Sequence, residues 1–547
     1  MTIAVRQDSL PDAVSPLGAL RARRLARRVQ GLDRFDVFYQ AYVTALISGM
    51  AVLVLSDWVG GTPVSTPAGE LAARGTAVLG LVTAAAVAAG LRSGSRGGPL
   101  AIEPPDIRHV LLAPVGRDEA LRAPALRQLR FLLAAAVAVG AAGGQLAARR
   151  LPGSMLAWMA SGAMWAVVTV ALTVGVAWLA AGRRMPTWIA TGLATLLLAA
   201  AAAEVAGVLP TAPTHWAGAL GVLPAHVDPW SWAVPVAAVA LAAWALRGLG
   251  GTSVERLSRR SALVGELRFA ATMRDLRTVM LVRRQLHQEA PRTRPWLRTR
   301  RRGGHTVVVL RDWRALQRTP VPRLVRLVVL STVAALSAVG IWLGTPALVI
   351  VAGLCAFLAA LEALEPLAQE VDRCTVLDLA PVDKGAVLVR HLIVPVTALV
   401  VVALTIAGLV LPFTSSPEAV VVLATTALVA PAAAVAGAAI NVRRDGTGPG
   451  AQAIEQLMLP PEAVGMRLVY KLAFPPALAA AGFAPVLLAR QAVEGGTDPA
   501  HAATSIAVLV ALAACAVAAW VRHRDGLSDW WATATQQATS TTEGAAG

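Results

Sequence analysis

The chain reads as an all-α polytopic membrane protein of about 12 transmembrane helices in two tandem six-helix halves, and three observations lead there. Its 547 residues are 56% hydrophobic and 15% charged, with a mean hydropathy of +0.61; a soluble domain has nowhere to hide that much apolar surface. Apolar stretches able to cross about 30 Å of hydrocarbon, roughly 20 residues as a helix, recur twelve times. One nineteen-residue stretch occurs twice without a gap, as PLAIEPPDIRHVLLAPVGR from Pro99 to Arg117 and as PLAQEVDRCTVLDLAPVDK from Pro366 to Lys384. Fixed internal self-similarity of this kind marks a chain built from two related units.

Residues 1–37 form a basic amphipathic helix. Ala22, Leu25, Val29, Leu32 and Phe35 make its apolar stripe, and Arg21, Arg23, Arg24, Arg27, Arg28 and Arg34 cover the rest. With no apolar core segment and no small-residue cleavage site, it is expected to be retained rather than removed as a signal. Residues 38–247 make the first half, with spans expected at 38–56, 76–92, 130–147, 155–181, 186–208 and 230–247. Residues 326–521 make the second, with spans at 326–343, 346–365, 391–411, 417–440, 472–489 and 502–521. These segments have almost no polar face, so they are not soluble core helices. Residues 522–547 are a cytoplasmic tail, rich in Thr, Ser, Gln and Ala from Leu527 onward and expected to be loosely ordered.

Between the halves lies a basic linker, 248–325, with interfacial helices. From Arg247 to Arg326 there are twenty arginines against Glu255, Glu266, Asp275, Glu289 and Asp312, most of the chain's net charge of +17. No aromatic-studded or zinc-bearing module accompanies them, so nucleic acid is not the expected partner and anionic lipid headgroups are. Phe269, Met273, Leu276 and Met280 recur at helical spacing with Arg268, Arg274, Arg277 and Arg284 between them, which describes either a helix on the membrane surface or a solvated one. Arginine also sets orientation. The amino-terminal segment, the 92–130 loop, the GRRMP turn at Arg183 and Arg184 and the linker fall on one side of twelve spans, which the positive-inside rule makes cytoplasmic. Both termini then lie in the cytoplasm of a plasma membrane. Arg149 and Arg150 are the one exception.

Eight of the nineteen repeated positions are identical, among them Glu103/Glu370, Pro114/Pro381 and Val115/Val382, and a cation, Arg117 or Lys384, closes each copy. A proline fixes how a helix is entered, the apolar neighbour fills a pocket, and the cation pairs with acids on a partner. The alternative is a headgroup-level cap with snorkelling cations. Glu103 and Glu370 are expected to pair with linker arginines. The order of basic helix, two spans, a loop carrying a Pro-Val-x-cation motif and four more spans resembles the permease subunits of ABC-2-type exporters, and RDWRALQRTP, Arg311 to Pro320, is similar to that family's connecting helix. The resemblance implies that LLAPVGRDEALRAP and DLAPVDKGAVLVRH are coupling elements docking on an ATP-binding cassette ATPase subunit. Pro114, Val115, Arg117, Pro381, Val382 and Lys384 would make the contacts. Fusion of two units in one chain departs from the family's usual plan.

The sequence holds no engine of its own. It contains no G-x-x-x-x-G-K-[ST], H-E-x-x-H, G-x-S-x-G or Cys-x-x-Cys, so no catalytic residue, metal site or cofactor is expected here and ATP belongs on the partner. Cys355 and Cys515 fall in spans and Cys374 in a loop, as free thiols. Substrate-binding residues are not legible. Glu204, Glu362 and Glu365 are the candidate acids within spans, and each is expected to reach water or an arginine at a span end. The remaining Ala, Val and Leu lining suits an apolar or amphipathic cargo. Residues 209–229 read either as a lid dipping into the outer leaflet or as an interfacial loop anchored by Trp216 and Trp230. Two other functions fit the architecture: a gradient-driven secondary transporter, whose G-x-x-x-D-R-x-G-R motif is missing after span two, or a membrane scaffold that transports nothing.

Overall fold

A computed structural model describes residues 68–100, 116–272, 293–296, 307–372, 383–410, 417–444 and 473–544, with scattered positions between 42 and 57 and between 102 and 111. Among them every regular element is helical and none is a strand. Among the described residues, nine helices are long and apolar enough to cross a membrane, or eleven if each of two bent pairs is one span. The protein is therefore an all-α multi-pass membrane protein. Contacts divide it into two units, Met1–Arg268 and Phe269–Gly547, with the boundary inside the basic linker.

The first unit contains α1 (Ala68–Ser95), α2 (Arg117–Ala148), α3 (Met155–Gly182), α4 (Thr187–Val205), α5 (His215–Ala219), α6 (Ala233–Arg247) and α7 (Val254–Thr272). The expected first span, 38–56, lies mostly outside the described residues, as does the amino-terminal basic stripe. Of its end, Ser56 is buried and its hydroxyl accepts from Gln145 Nε2 at 2.9 Å and Arg149 Nε at 2.6 Å. α3 starts where Ser154 Oγ accepts from Ala157 N at 3.2 Å. α2 and α3 pack glycine on glycine: a Cβ at Gly144 would overlap the Trp158 carbonyl, and one at Gly162 that of Gly140. Small residues let helix backbones approach this closely in lipid, where packing replaces the hydrophobic drive.

The second unit contains α8 (Val307–Gln317), α9 (Val321–Trp342), α10 (Leu348–Ala363), α11 (Glu365–Asp372), α12 (Lys384–Arg390), α13 (Ile393–Val410), α14 (Pro417–Arg444), α15 (Ala473–Ala481), α16 (Ala484–Glu494) and α17 (Pro499–Gly544). Pro320 caps α9 and Pro322 lies in its first turn, where a missing N–H costs nothing. Two expected spans are bent: α10 turns by 61° into α11, and α15 by 53° into α16.

Three boundaries differ from expectation. The third span begins at Arg117 rather than near 130, since Arg122, Arg127 and Arg130 lower hydropathy without lowering helix propensity. The span expected from 391 is likewise entered through α12, from Lys384. The tail expected to be loose continues α17 as helix to Gly544. No proline follows Gly526, and extending an existing helix needs no new nucleus. The expected surface helix at 269–284 and Cys374 lie outside the described residues, save the turn of α7 ending at Thr272.

Candidate functional site

The two copies of the repeat occupy equivalent places within their own units. Leu100 and Leu367 are buried, as are Leu121 and Leu388, another pair of leucines 267 positions apart just beyond the repeat. In the first unit Leu100, Ile102, Ile107, Leu111 and Leu121 form one core with Trp178, Leu249 and Leu257. In the second, Leu367 and Leu388 join Leu364, Ala438, Val442 and Val521. Among the described residues, part of the first copy expected at the surface is thus core. Ile102 N donates to Ser261 Oγ at 3.0 Å, and Gln128 Nε2 to the Pro99 carbonyl at 3.0 Å, which strap it down.

The helix following each motif is seated against the residues that leave its unit's last span. Gly250 N donates to Asp118 Oδ1 at 2.5 Å. At Gly385, the position matching Asp118, a Cβ would overlap the Arg522 carbonyl. Asp383 caps α12, its Oδ1 accepting from Gly385 N at 3.0 Å. This seating leaves Arg117 and Lys384 exposed on the first turn of α2 and α12. Pro114, Val115, Pro381, Val382 and Glu103 lie outside the described residues. Glu370 pairs with a linker arginine, Arg311 Nη2 to Oε2 at 2.5 Å.

A second cluster surrounds Glu362, which is buried on α10 between Arg323 and Arg326 of α9, with Nε to Oε2 at 3.4 Å and Nη2 to Oε1 at 3.2 Å. The expected arginine contact therefore forms, but inside the protein. Nearby, Asp312 of α8 is 1% exposed, and its Oδ2 lies 2.5 Å from His391 Nδ1, also buried. Neither Asp312 nor His391 was singled out by sequence reading. The signal was there: Asp312 falls four residues after Val308 and four before Leu316, in an apolar register where an acid is out of place.

These groups border a cavity of about 580 Å³, lined by Arg311, Asp312, Arg318, Arg323, Glu362 and Glu365 among others. Farther along the same helices is an apolar chamber of about 70 Å³ lined mostly by alanines, with Leu399, Leu423 and Phe483.

The first unit carries its own buried acid. Glu204, expected to snorkel, is instead folded over by the 209–222 segment: Ala212 N donates to Oε2 at 2.9 Å, and His215 Nδ1 contacts Oε1. The second half of α5, Ala217–Ala219, and the turn Leu220–Val222 are buried, Ser161 Oγ donating to the Leu220 carbonyl at 2.6 Å. Ala217–Val222 pack against α1 and α3, while Trp216 and Trp230, the anchors of the interfacial reading, are exposed.

Outside the spans, burial lowers the pKa of Arg150 and of Arg260. Arg260 Nε is buried without a hydrogen bond among the described residues.

Comparison with protein-family models, curated proteins and solved structures returns no match.

Proposed function

We propose that this chain is the membrane-spanning permease component of an ABC-type exporter, with two six-span halves in one polypeptide. A separate ATP-binding cassette ATPase subunit hydrolyses ATP and drives efflux of an apolar or amphipathic substrate. In this reading the chain lies in a plasma membrane with both termini in the cytoplasm, and anionic headgroups hold its basic linker. The observation that carries it is the matched seating of the two motif helices. Each is fixed to its own unit through buried leucines and through the exit from the last span, and each presents a cation on its first turn. A lever seated at the base of a span can pass motion from a partner into the membrane; a loose loop could not.

Cross-linking tests it. Arg117→Cys and Lys384→Cys, in a background without Cys355, Cys374 and Cys515, are expected to give adducts with a co-purified ATPase, and ATP-dependent efflux is expected in vesicles holding both proteins. Absence of adducts from both positions overturns docking.

One observation favours a gradient-driven transporter as the second reading. Glu204 and Asp312 are buried acids, each touching a histidine, and such dyads can carry protons. Flux driven by a pH gradient in vesicles without any ATPase would select it.

A further inference from the structure

The two cavities of the second unit are stacked along three shared helix faces. On α9, Arg323 and Leu327 line the charged cavity, and Ser331, Ala334 and Ala338 the apolar chamber, a single stripe at three- and four-residue steps. On α10 the order is Glu362 and Ala363, then Ala359 and Ala356. On α13 it is Pro395, then Leu399, Ala403 and Ala407. On each helix about one turn, about 5.4 Å, separates the last charged-cavity residue from the first apolar-chamber residue. Polar below and hydrocarbon above is the order of groups in an amphiphile. A charged cavity of about 580 Å³ lies within the range of small-molecule sites, and an apolar chamber stays dry unless something apolar enters it.

The charges narrow the headgroup. Glu370 is engaged by Arg311, and Glu362 by Arg323 and Arg326. Two groups remain. Arg318 lines the cavity, is exposed, and has no side-chain partner among the described residues. Asp312 Oδ1 is buried with no hydrogen bond; Arg311 Nε comes only to 3.8 Å, beyond donating distance. An unspent cation and an unspent carboxylate oxygen in one cavity call for a ligand with an anion and an N–H donor. We propose that the stacked cavities bind a zwitterionic phospholipid with a primary ammonium, its phosphate at Arg318, its ammonium at Asp312 Oδ1, and the first methylenes of one chain in the apolar chamber. As a substrate assignment this rests on the export reading; as a binding site it does not, and the experiment below reads binding alone, without an ATPase.

The full chain, delipidated in detergent, is offered dioleoyl-phosphatidylethanolamine, -phosphatidylcholine and -phosphatidylglycerol in turn, and retained lipid is counted by native mass spectrometry. Phosphatidylethanolamine is expected to bind about tenfold or more above the other two, the factor that about 1.4 kcal/mol from one charge-assisted hydrogen bond supplies. Phosphatidylcholine has no N–H to donate and phosphatidylglycerol has no ammonium. Arg318→Gln, at an exposed position, is expected to weaken phosphatidylethanolamine about tenfold. Asp312→Asn is expected to abolish its advantage over phosphatidylcholine, and Ala403→Leu to reduce binding by filling the chamber. Free phosphate and ethanolamine, without a chain, are expected not to compete. Equal retention of the three lipids, or unchanged binding by Arg318→Gln, overturns the proposal, as does full competition by the chainless compounds.

Discussion

Glu362→Ala should be among the costliest single changes in the second unit. The carboxylate is 2% exposed and faces two guanidinium side chains that are themselves 17% and 18% exposed. Removing it takes a buried anion away from two largely buried cations. Breaking a buried pair from one side costs about 3–5 kcal/mol. An exposed i,i+4 pair gives a built-in comparison: Arg490 and Glu494 meet at 3.0 Å, yet their side chains are 30% and 58% exposed, and such pairs contribute about 0.3–0.5 kcal/mol. About 1 kcal/mol moves the midpoint of a unit this size by about 2–4 °C. Glu362→Ala is therefore expected to lower Tm on the order of 10 °C and Glu494→Ala by about 2 °C or less. The assay is thermal unfolding of the purified full chain in detergent at one heating rate, since membrane proteins often unfold irreversibly. Replacing all three charges, Arg323→Met with Arg326→Met and Glu362→Leu, should recover most of the loss, because apolar groups of similar volume carry no desolvation cost. If Glu362→Ala unfolds together with Glu494→Ala, water in the adjoining cavity solvates the arginines fully and the reasoning about burial is wrong.

Gly385→Val puts a side chain into the Arg522 carbonyl and should cost about 1–3 kcal/mol through overpacking; a lower Tm, with loss of the cross-link from Lys384→Cys, checks the seating of α12. His215→Phe removes one of the two contacts holding Glu204 and should loosen the 209–222 segment, so that a Val222→Cys thiol, buried in the parent, becomes reactive toward a membrane-impermeant maleimide. Unchanged protection would show that packing of α5 alone holds it. Arg260→Met should raise Tm by about 2–4 °C, since it relieves a buried guanidinium nitrogen without a hydrogen bond whose pKa burial already depresses. A fall in Tm would mean that the cation is solvated.

Composition and apolar run length alone determined the membrane class and the helical fold, because in lipid every backbone N–H and C=O must be satisfied within the segment itself. The doubled motif pointed to two units, the number into which contacts divide the chain, and Glu370 could be matched in advance to a linker arginine because acids among so many arginines have few other neighbours. Where hydropathy is the signal, boundaries slipped: α2 starts among arginines, and hydropathy falls there while the helix goes on. What only the tertiary structure decided is the depth and company of individual polar groups. Asp312 and His391 are 79 residues apart, Glu204 meets a histidine eleven residues on, and Leu100 and Leu367 of the repeat are core. The reason is physical. Whether a backbone can cross lipid depends on the segment alone, whereas the cost of burying a charge depends on which distant groups the fold brings within about 3 Å of it.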